Sequence, residues 1–238
     1  MCWNGSVSLK FGLVHLMTLL LVYLVKPRHW KKFSTFLSFY ILMEWFQAFQ
    51  WYMGVGLIHE SDLCTSINTY STIFAYILIW LQPIMYCNFA KRNKFVKKYA
   101  IFTFVVAMIN LFLGFWWPAS EMQHLTTVGQ TNYGNITCTY KGEFGHLLWK
   151  FQINTISYQP THFVYYSIIL LTIFMYYDNV LKWTIGLGWI SSFLLTVLIH
   201  GINNELPSFW CLLSVVADIP IVFYCLYVNM NPRKRRLR

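Results

Sequence analysis

The sequence has very few charged residues. Only 11% of its 238 residues are Asp, Glu, Lys or Arg, and only 8 of these are acidic. Soluble domains carry about 25% charged residues, whereas here hydrophobic residues reach 57% and aromatic residues 20%. A soluble core built from a chain of this length could not enclose that much apolar surface. The composition therefore excludes an ordinary soluble domain and predicts an integral membrane protein.

Motifs that mark several known chemistries are also missing. There is no GxSxG, HExxH or P-loop, no arginine ladder and no TVGYG filter. The last apolar segment holds no lysine for a retinal Schiff base, because Lys182 falls in a connection. Enzymes with several intramembrane histidines are poorly matched, since only His15 lies deep, while His162 and His200 lie near segment ends. The sequence therefore predicts no cofactor, covalent retinal included, and offers an enzyme no obvious catalytic site.

Long apolar runs, by contrast, fill most of the chain. Seven of them approach the roughly 20 residues that a helix needs to cross about 30 Å of hydrocarbon. KPRHWKK follows the first run directly and no basic region precedes that run, so it is predicted to be a retained helix rather than a cleaved signal peptide. The predicted fold class is all-α: residues 1–238 form a single membrane domain, an integral bundle of seven transmembrane helices. The predicted segments are 8–25, 33–58, 65–89, 99–118, 161–177, 184–200 and 209–228.

Basic residues are concentrated on one side of this predicted bundle. The connections 26–32 and 91–98, the tail 231–238 and Lys182 together hold 15 of the 18 Lys and Arg. The positive-inside rule then places the N-terminus outside and the C-terminus in the cytoplasm. The net charge of +10 therefore reflects topology rather than nucleic-acid binding, and we expect the basic tail to contact anionic lipid. The acidic residues on the opposite side are Glu60, Asp62, Glu121, Glu143 and Glu205.

One long connection, residues 119–160, lies outside in this topology. It contains the sequon Asn135-Ile136-Thr137, so Asn135 is a predicted glycosylation site. Loops of this length are usually functional or disordered. Its Trp and Tyr residues favour a folded cap or an interfacial helix, with His146 and Trp149 as candidate functional residues at the outer face.

Four of the six cysteines fall on the outer side of the predicted bundle: Cys2, Cys64, Cys138 and Cys211. An even set in an oxidising compartment favours disulfides, and four cysteines allow three pairings. We favour Cys64–Cys138, which would tie the long connection to the third segment, together with Cys2–Cys211. Free thiols remain an alternative. A zinc site that also uses His146 is a third, although the sequence has no short metal-ligand spacing.

Two carboxylates fall near the middle of predicted membrane segments. Glu44 lies eleven residues after Phe33, which places it roughly 16 Å into the bilayer at 1.5 Å per residue. Asp218 lies eight residues after Trp210, which places it roughly 12 Å from the outer edge. The two are therefore expected at a similar depth, near the midplane. Other polar residues at or beside this level are His15, Gln47, Gln82 and Asn110.

These polar residues form stripes that should face the interior of the bundle. Tyr40, Glu44 and Gln47 share one face of the second segment, and Ser214 and Asp218 share one face of the last. An ionised carboxylate at the bilayer centre costs at least ~2.5–3.5 kcal/mol, so it is normally paired, protonated or hydrated. No Lys or Arg is expected at this depth, which suits a group that passes a proton or holds a cation. The alternative is inert hydrogen bonding between helices, at roughly 1 kcal/mol per bond.

Prolines interrupt two of the predicted helices. Pro83 follows Gln82, and Pro220 follows Asp218 by two residues. A proline inside a helix frees a backbone carbonyl and produces a kink, so both are candidate hinges. PIMYC at 83–87 is similar to PIVFYC at 220–225. The similarity hints at a parallel repeat of segments 1–3 and 5–7, an arrangement known from transporters.

Several short motifs resemble, in order, those of a family of seven-span membrane proteins of unknown function from giant DNA viruses, algae and, more distantly, bacteria. The chain opens with MCWN, has Glu44-x-x-Gln47 in the second segment and Gln82-Pro83 in the third. It departs from the family pattern at Leu78, where members often carry a histidine. The resemblance spans the whole chain and implies no activity. The remaining matched residues are Cys138, Gly145, His146 and Trp149 in the long connection, and Pro207, Ser208, Trp210 and Cys211 at the last segment.

The leading prediction for function is a small channel or transporter for protons or another small solute, located in a cellular membrane or a viral envelope. Its site would consist of Glu44, Gln47 and Asp218, with His15, Gln82 and Asn110 as supporting groups. A membrane enzyme that works at the outer face, or a receptor-like or structural envelope protein without transport, is the alternative. The expected partners are the lipid bilayer and a small solute or ion, without nucleic acid, and an oligomer is compatible with the sequence.

Overall fold

A computed structural model describes residues 4–57, 64–91, 94–117, 136–154, 162–201 and 206–231. Over these ranges the chain is mostly helical, with seven helices and one small sheet. Three of the features predicted above lie outside the described residues: the glycosylation site Asn135, the thiol of Cys2 and the basic tail from residue 232 onward.

The first four helices are continuous, whereas the last three contain irregular turns. Helices α1 to α4 are Gly5–Val25, Trp30–Met53, Ser66–Phe89 and Lys94–Trp116. Helix α5 is His162–Leu171 followed by a π-helical turn, Thr172–Tyr176. Helix α6 is Asn179–Leu181, a π-helical turn Lys182–Gly186 and then Leu187–His200. Helix α7 is Leu206–Leu213, a 3-10 turn Ser214–Ala217 and then Asp218–Met230.

Local chemistry fixes where these helices begin and end. The side chain of Asn4 accepts a hydrogen bond from the Val7 amide at 2.9 Å and so caps α1, and Asp178 caps α6 in the same way. This cap starts α6 at residue 179, five residues before the predicted segment. Helix α2 ends at Met53 rather than at residue 58, because Gly54 adopts a φ of 92° that a helix cannot continue.

Five helical stretches are long and apolar enough to cross a membrane. They are Gly5–Val25, Ser66–Phe89, Lys94–Trp116, Asn179–Ile199 and Phe209–Met230. The sequence predicted seven crossings. Helix α2 is long but is not among the five, and the apolar part of α5, Phe163–Tyr176, is shorter than the other five.

The described part of the long connection forms a small sheet together with a short strand that follows α2. Strands β1 (Gly56–Leu57), β2 (Cys138–Lys141) and β3 (Leu147–Lys150) lie in that order. Strand β1 runs parallel to β2, and β2 pairs with β3 as an antiparallel hairpin in which Cys138 lies opposite Lys150. The turn of this hairpin contains Gly145, whose φ of 81° suits glycine. The predicted cap therefore contains a sheet and not an interfacial helix over these residues.

The chain divides into two compact units, Met1–Phe49 with Tyr177–Arg238, and Gln50–Tyr176. The first unit contains α1, most of α2, α6 and α7. Its helices α6 and α7 approach closely at Gly188, where an added Cβ would lie 2.5 Å from the Ala217 Cα. The second unit contains α3, α4, the sheet and α5. In that unit Gly114 of α4 lies against the backbone of Gln152, because a Cβ added at Gly114 would lie 2.3 Å from the Gln152 carbonyl oxygen.

Candidate functional site

A buried histidine–carboxylate pair joins α1 to α7 in the first unit. His15 Nδ1 lies 2.9 Å from Asp218 Oδ1, and the two residues are 0% and 3% exposed. The other ring nitrogen, Nε2, lies 3.3 Å from the Ser214 hydroxyl. When Nδ1 carries the proton it donates to the carboxylate, and Nε2 then accepts from the hydroxyl. Both nitrogens of this imidazole are thus held by groups from one neighbouring helix.

The backbone of α7 is irregular at the point where it supplies these two groups. Ser214 begins the 3-10 turn and Asp218 begins the helical segment after it. Pro220 has no backbone N–H, so a carbonyl one turn earlier loses its helical partner. Among the described residues, Asp218 Oδ2 has no hydrogen-bond partner. The carboxylate therefore has one oxygen bound to the imidazole and one still able to accept a proton or a hydrogen bond.

Glu44 lies on α2 and belongs to the same unit. Its side chain is 0% exposed, and neither carboxylate oxygen has a hydrogen-bond partner within the described ranges. The Ser8 hydroxyl of α1 lies beside this carboxylate, also fully buried. One helical turn before Glu44, the ring of Tyr40 lies 5.9 Å from the ring of His15. Tyr40 therefore connects the face of α2 that carries Glu44 to the histidine–carboxylate pair, without a direct contact between Glu44 and that pair among the described residues.

The remaining predicted residue of this unit, Gln47, is also fully buried and lies three residues after Glu44 on α2. Thus the structure brings His15 and Asp218 into direct contact and places Glu44 and Gln47 on the adjoining helix. Among the described residues of the first unit, the ion pairs are His15–Asp218 and the contacts of Asp178 with Arg28 and His29, so neither Glu44 nor Asp218 is paired with a Lys or Arg there.

The other predicted polar residues belong to the second unit. Gln82 of α3 accepts a hydrogen bond from the Tyr165 hydroxyl, and it directly precedes the buried Pro83. Asn110 of α4 is fully buried, and its backbone carbonyl accepts a hydrogen bond from the Asn154 amide at 3.1 Å. These contacts connect α3 to α5, and α4 to the segment that follows β3.

The two candidate residues of the outer face are buried in the cap. His146 lies in the hairpin turn, is 2% exposed, and its backbone carbonyl accepts a hydrogen bond from the Gly142 amide at 2.8 Å. Trp149 lies on β3, and its indole N–H donates to Gln50 Oε1 at 3.1 Å. Neither side chain is presented at the surface in this arrangement, and a catalytic role for them stays a prediction.

The cysteines of the cap are joined in the favoured pairing. Cys64 and Cys138 form a disulfide with a Cα–Cα distance of 6.0 Å. Their sulfurs are therefore not available as zinc ligands, and the described residues contain no group of three or more His, Cys, Asp or Glu able to hold a metal ion. Cys211 is buried in α7, and its proposed pairing with Cys2 stays a prediction.

Sequence reasoning missed a polar network beneath the cap. Asn68 of α3 donates to the Thr139 carbonyl at 2.9 Å and accepts from the Thr139 amide at 2.8 Å. Thr72 and Gln50 both reach the Thr139 hydroxyl, at 2.6 and 2.9 Å. The signal in the sequence is the spacing of Asn68, Ser71 and Thr72, which places three polar groups on one face at the start of the third segment.

A second missed cluster lies in the first unit, just after the C-terminal end of α1. Arg28 and Asp178 form an ion pair with a nitrogen–oxygen distance of 3.3 Å, and His29 Nε2 lies 3.5 Å from the other Asp178 oxygen. Burial lowers the pKa of His29 below its ordinary value, although the neighbouring Asp178 carboxylate opposes this shift. Asp178 also caps α6, so the cluster connects the α1–α2 turn to the start of that helix.

Comparison with known proteins identifies relatives of the chain along nearly its whole length. Residues 8–237 match DUF5765, a family of unknown function. The chain belongs to the DUF5765 family. It is also 36% identical over 233 residues to the uncharacterized protein R287 of Acanthamoeba polyphaga mimivirus, a match that covers 94% of this chain and 95% of that protein. No solved structure matches this DUF5765 protein.

Membership of DUF5765 confirms the resemblance in its coarser form. The family has no assigned function, and it includes a protein from a giant virus, as the motif order suggested. The relation assigns no role to His15, Asp218 or Glu44, so the function of this DUF5765 protein has to be argued from their geometry.

Proposed function

We propose that this DUF5765 protein moves protons or another small cation across a membrane. The membrane arrangement in this proposal has seven crossings, with α2 and α5 added to the five long apolar helices. The distribution of Lys and Arg then supports an outer N-terminus, an outer cap and a cytoplasmic, lipid-contacting tail. The site consists of the His15–Asp218 pair together with Glu44.

The observation that carries the proposal is the contact between His15 and Asp218 deep in apolar helices. Ionisable side chains inside membrane segments are rare and commonly mark ion pathways or proton relays. A neutral imidazole can accept a proton at one nitrogen while it releases one from the other. Here one nitrogen faces Asp218 at 2.9 Å and the other faces Ser214 at 3.3 Å. This arrangement allows a proton to pass through the ring between two oxygen acceptors.

The hydrogen-bonded connectivity Ser214–His15–Asp218 is that of a serine–histidine–aspartate triad. In a triad, Ser214 would act as a nucleophile rather than as part of a proton relay. A triad serine must meet the carbonyl of its substrate, and Ser214 is only 4% exposed. Glu44, a second buried carboxylate of the same unit, has no place in a triad, whereas additional buried carboxylates are common along proton or cation pathways. The burial of Ser214 and the position of Glu44 therefore favour the relay.

Irregular helices give the proposed pathway a means to change shape. Helix α7 changes from a 3-10 turn to α-helix at Asp218, two residues before Pro220. Proline and π-helical turns are common at functional bends in helices, and α5 and α6 each contain a π-helical turn. In the second unit, Pro83 is the corresponding candidate hinge. We place the hinge of the pathway at Pro220 because it adjoins the carboxylate.

Proton flux into liposomes tests the proposal. Purified protein is reconstituted with a trapped pH-sensitive dye, and a potassium gradient with valinomycin sets the voltage. We expect Asp218→Asn and His15→Gln to reduce flux at least tenfold, since each removes one proton-carrying group while it preserves side-chain size. Glu143→Gln removes an exposed carboxylate and is the matched control, expected to leave flux unchanged.

Two results would overturn the proposal. The first is an absence of flux above protein-free liposomes at both voltage signs between pH 5 and 8, with the protein correctly folded. The second is a wild-type flux that Asp218→Asn and His15→Gln both leave intact. In either case the pair would act as a structural contact between α1 and α7.

A further inference from the structure

Two lysines and two aromatic rings form a cluster where α1 ends and the chain turns into α2. Lys26 Nζ lies 5.3 Å from the centroid of the Tyr23 ring, and Lys31 Nζ lies 5.8 Å from the centroid of the Trp30 ring. The two rings pack edge to face, with their centroids 6.3 Å apart. Each ammonium group is therefore held over one ring of a contacting pair by a cation–π interaction.

The tight connection between α1 and α2 produces this arrangement. Lys26 ends α1 in the left-handed conformation, with a φ of 48°, and its amide donates to the Val22 carbonyl at 2.8 Å. His29 is also left-handed, with a φ of 65°, and α2 begins at the next residue. Residues other than glycine rarely adopt this conformation. Two of them reverse the chain here, so that Trp30 packs back on Tyr23.

Neither lysine of the cluster forms an ion pair among the described residues. Asp178, the carboxylate that contacts this connection, lies 3.3 Å from Arg28 and 3.5 Å from His29. The other described carboxylates of the first unit, Glu44 and Asp218, are buried. Both lysines are exposed. Two positive charges are therefore available to an anionic ligand at this surface.

The cluster lies at the end of a long apolar helix. Gly5–Val25 is one of the five stretches that are long and apolar enough to cross a membrane. In a membrane its last residues would reach the headgroup region, where Tyr and Trp are enriched. Leu20 and Leu24 lie within one turn of Tyr23 and are 48% and 72% exposed. This surface thus combines positive charge at the level of the headgroups with apolar side chains at the level of the acyl chains.

We propose that this cluster binds anionic phospholipid, with Lys26 and Lys31 neutralising the headgroup phosphate and the acyl chains lying on Leu20 and Leu24. Phosphatidylcholine fits less well, because its quaternary ammonium would be repelled by the two lysines, which already lie over both rings. The positive-inside rule accounts for lysines in this connection, but it does not require each of them to lie over one of two contacting rings. The inference goes beyond the proposed function, since it holds whether or not the protein moves protons.

Thermal unfolding of the full chain in a neutral detergent tests the proposal. The melting temperature is measured with increasing amounts of phosphatidylglycerol, or of phosphatidylcholine with the same acyl chains, in the micelles. A ligand that binds only the folded state stabilises it by mass action. We expect phosphatidylglycerol to give a saturable rise on the order of 4 °C and phosphatidylcholine a much smaller one. The double variant Lys26→Gln/Lys31→Gln should lose most of the rise with phosphatidylglycerol.

A second double variant of equal net charge separates this cluster from general electrostatic attraction. Lys10→Gln/Lys141→Gln removes two exposed lysines outside the cluster and should keep the full rise. All four lysines are exposed, so both double variants are expected to fold and to melt near the wild-type temperature without added lipid. Glycerol phosphate, which carries the phosphate without acyl chains, should give no rise.

Three results would overturn the proposal. The first is an equal rise with phosphatidylglycerol and phosphatidylcholine, or none with either. The second is a rise that Lys26→Gln/Lys31→Gln retains in full or that Lys10→Gln/Lys141→Gln loses to the same extent. The third is a rise that glycerol phosphate alone reproduces, which would show a site for free phosphate instead of lipid.

Discussion

Asn68 is the residue whose replacement should weaken the attachment of the cap most strongly. Its amide nitrogen donates to the carbonyls of Thr139 at 2.9 Å and Gly54 at 3.2 Å, and its amide oxygen accepts from the Thr139 amide at 2.8 Å and the Thr72 hydroxyl at 3.1 Å. Asn68→Ala removes all four hydrogen bonds. It also leaves the buried N–H of Thr139 without its acceptor.

The expected loss of stability follows from these contacts. A hydrogen bond contributes about 0.5–1.5 kcal/mol net, and a buried donor left unpaired costs about 1–3 kcal/mol. The bonds of Asn68 act together on one strand, so a loss of roughly 3–5 kcal/mol is expected rather than a simple sum. For a chain of this size that corresponds to a fall in melting temperature of roughly 10 °C. Asn231→Ala, which removes an exposed asparagine that bonds to the Tyr227 carbonyl, should change stability by less than about 0.5 kcal/mol.

Two assays check this reasoning. Thermal unfolding in detergent gives the stability change, and limited trypsin digestion reports opening of the cap, because Lys141 is exposed at the end of β2. Asn68→Ala should be cut there faster than wild type with the disulfide intact. Unchanged digestion together with a melting temperature within about 1 °C of wild type would refute the assignment of Asn68 as the main attachment.

Two further predictions concern packing and pH. Gly188→Ala should destabilise the protein by about 1–3 kcal/mol, because the new Cβ would lie 2.5 Å from the Ala217 Cα. Thermal unfolding measures this loss, with Ser191→Ala on the same helix as the control. Equal melting temperatures for the two variants would contradict the close approach of α6 and α7. His29 has a lowered pKa in the folded state despite the nearby Asp178, so below about pH 6.5 the unfolded chain binds a proton that the folded chain does not. The free energy of unfolding should therefore be highest above that pH and should fall as the pH drops through it toward the pKa of His29 in the folded state. His29→Gln should flatten this pH dependence of stability. An identical pH dependence in the variant would contradict its assignment to His29.

Sequence reasoning found His15 and Asp218 because helix geometry is regular. A constant rise of 1.5 Å per residue places residues at similar depths once the segment ends are known, and a charged group at that depth is conspicuous in an apolar chain. Which side chains touch depends on the rotation of each helix, which the sequence does not specify. The sequence grouped Gln82 and Asn110 with the carboxylates, whereas the contacts seen within the second unit are those of the Gln82 side chain with Tyr165 and of the Asn110 carbonyl with the Asn154 amide.

The cap shows the complementary failure. Strand β2 pairs with the short β1, which lies about 80 residues earlier, and its polar partners come from α2 and α3. A four-residue strand is too short to show a clear alternation of apolar and polar residues. Its partners are also distant in sequence, so the sequence does not indicate which segments pair. The spacing of Asn68, Ser71 and Thr72 indicates a polar face on α3, but nothing in the sequence identifies Thr139 as its partner, so the network beneath the cap could be predicted only in part. The Cys64–Cys138 disulfide could be predicted because the four cysteines on the outer side of the predicted bundle allow only three pairings.

The Cys64–Cys138 bond also limits how the polypeptide is threaded through the bilayer. The two cysteines are separated by 74 positions, and helices α3 and α4 lie between them. A covalent link can close only when both sulfurs are on the same face of the membrane, so the intervening chain must cross an even number of times. In the membrane arrangement proposed above, α3 and α4 therefore cross as a pair. Formation of this bond in a living cell would exclude an arrangement in which only one of the two helices has crossed.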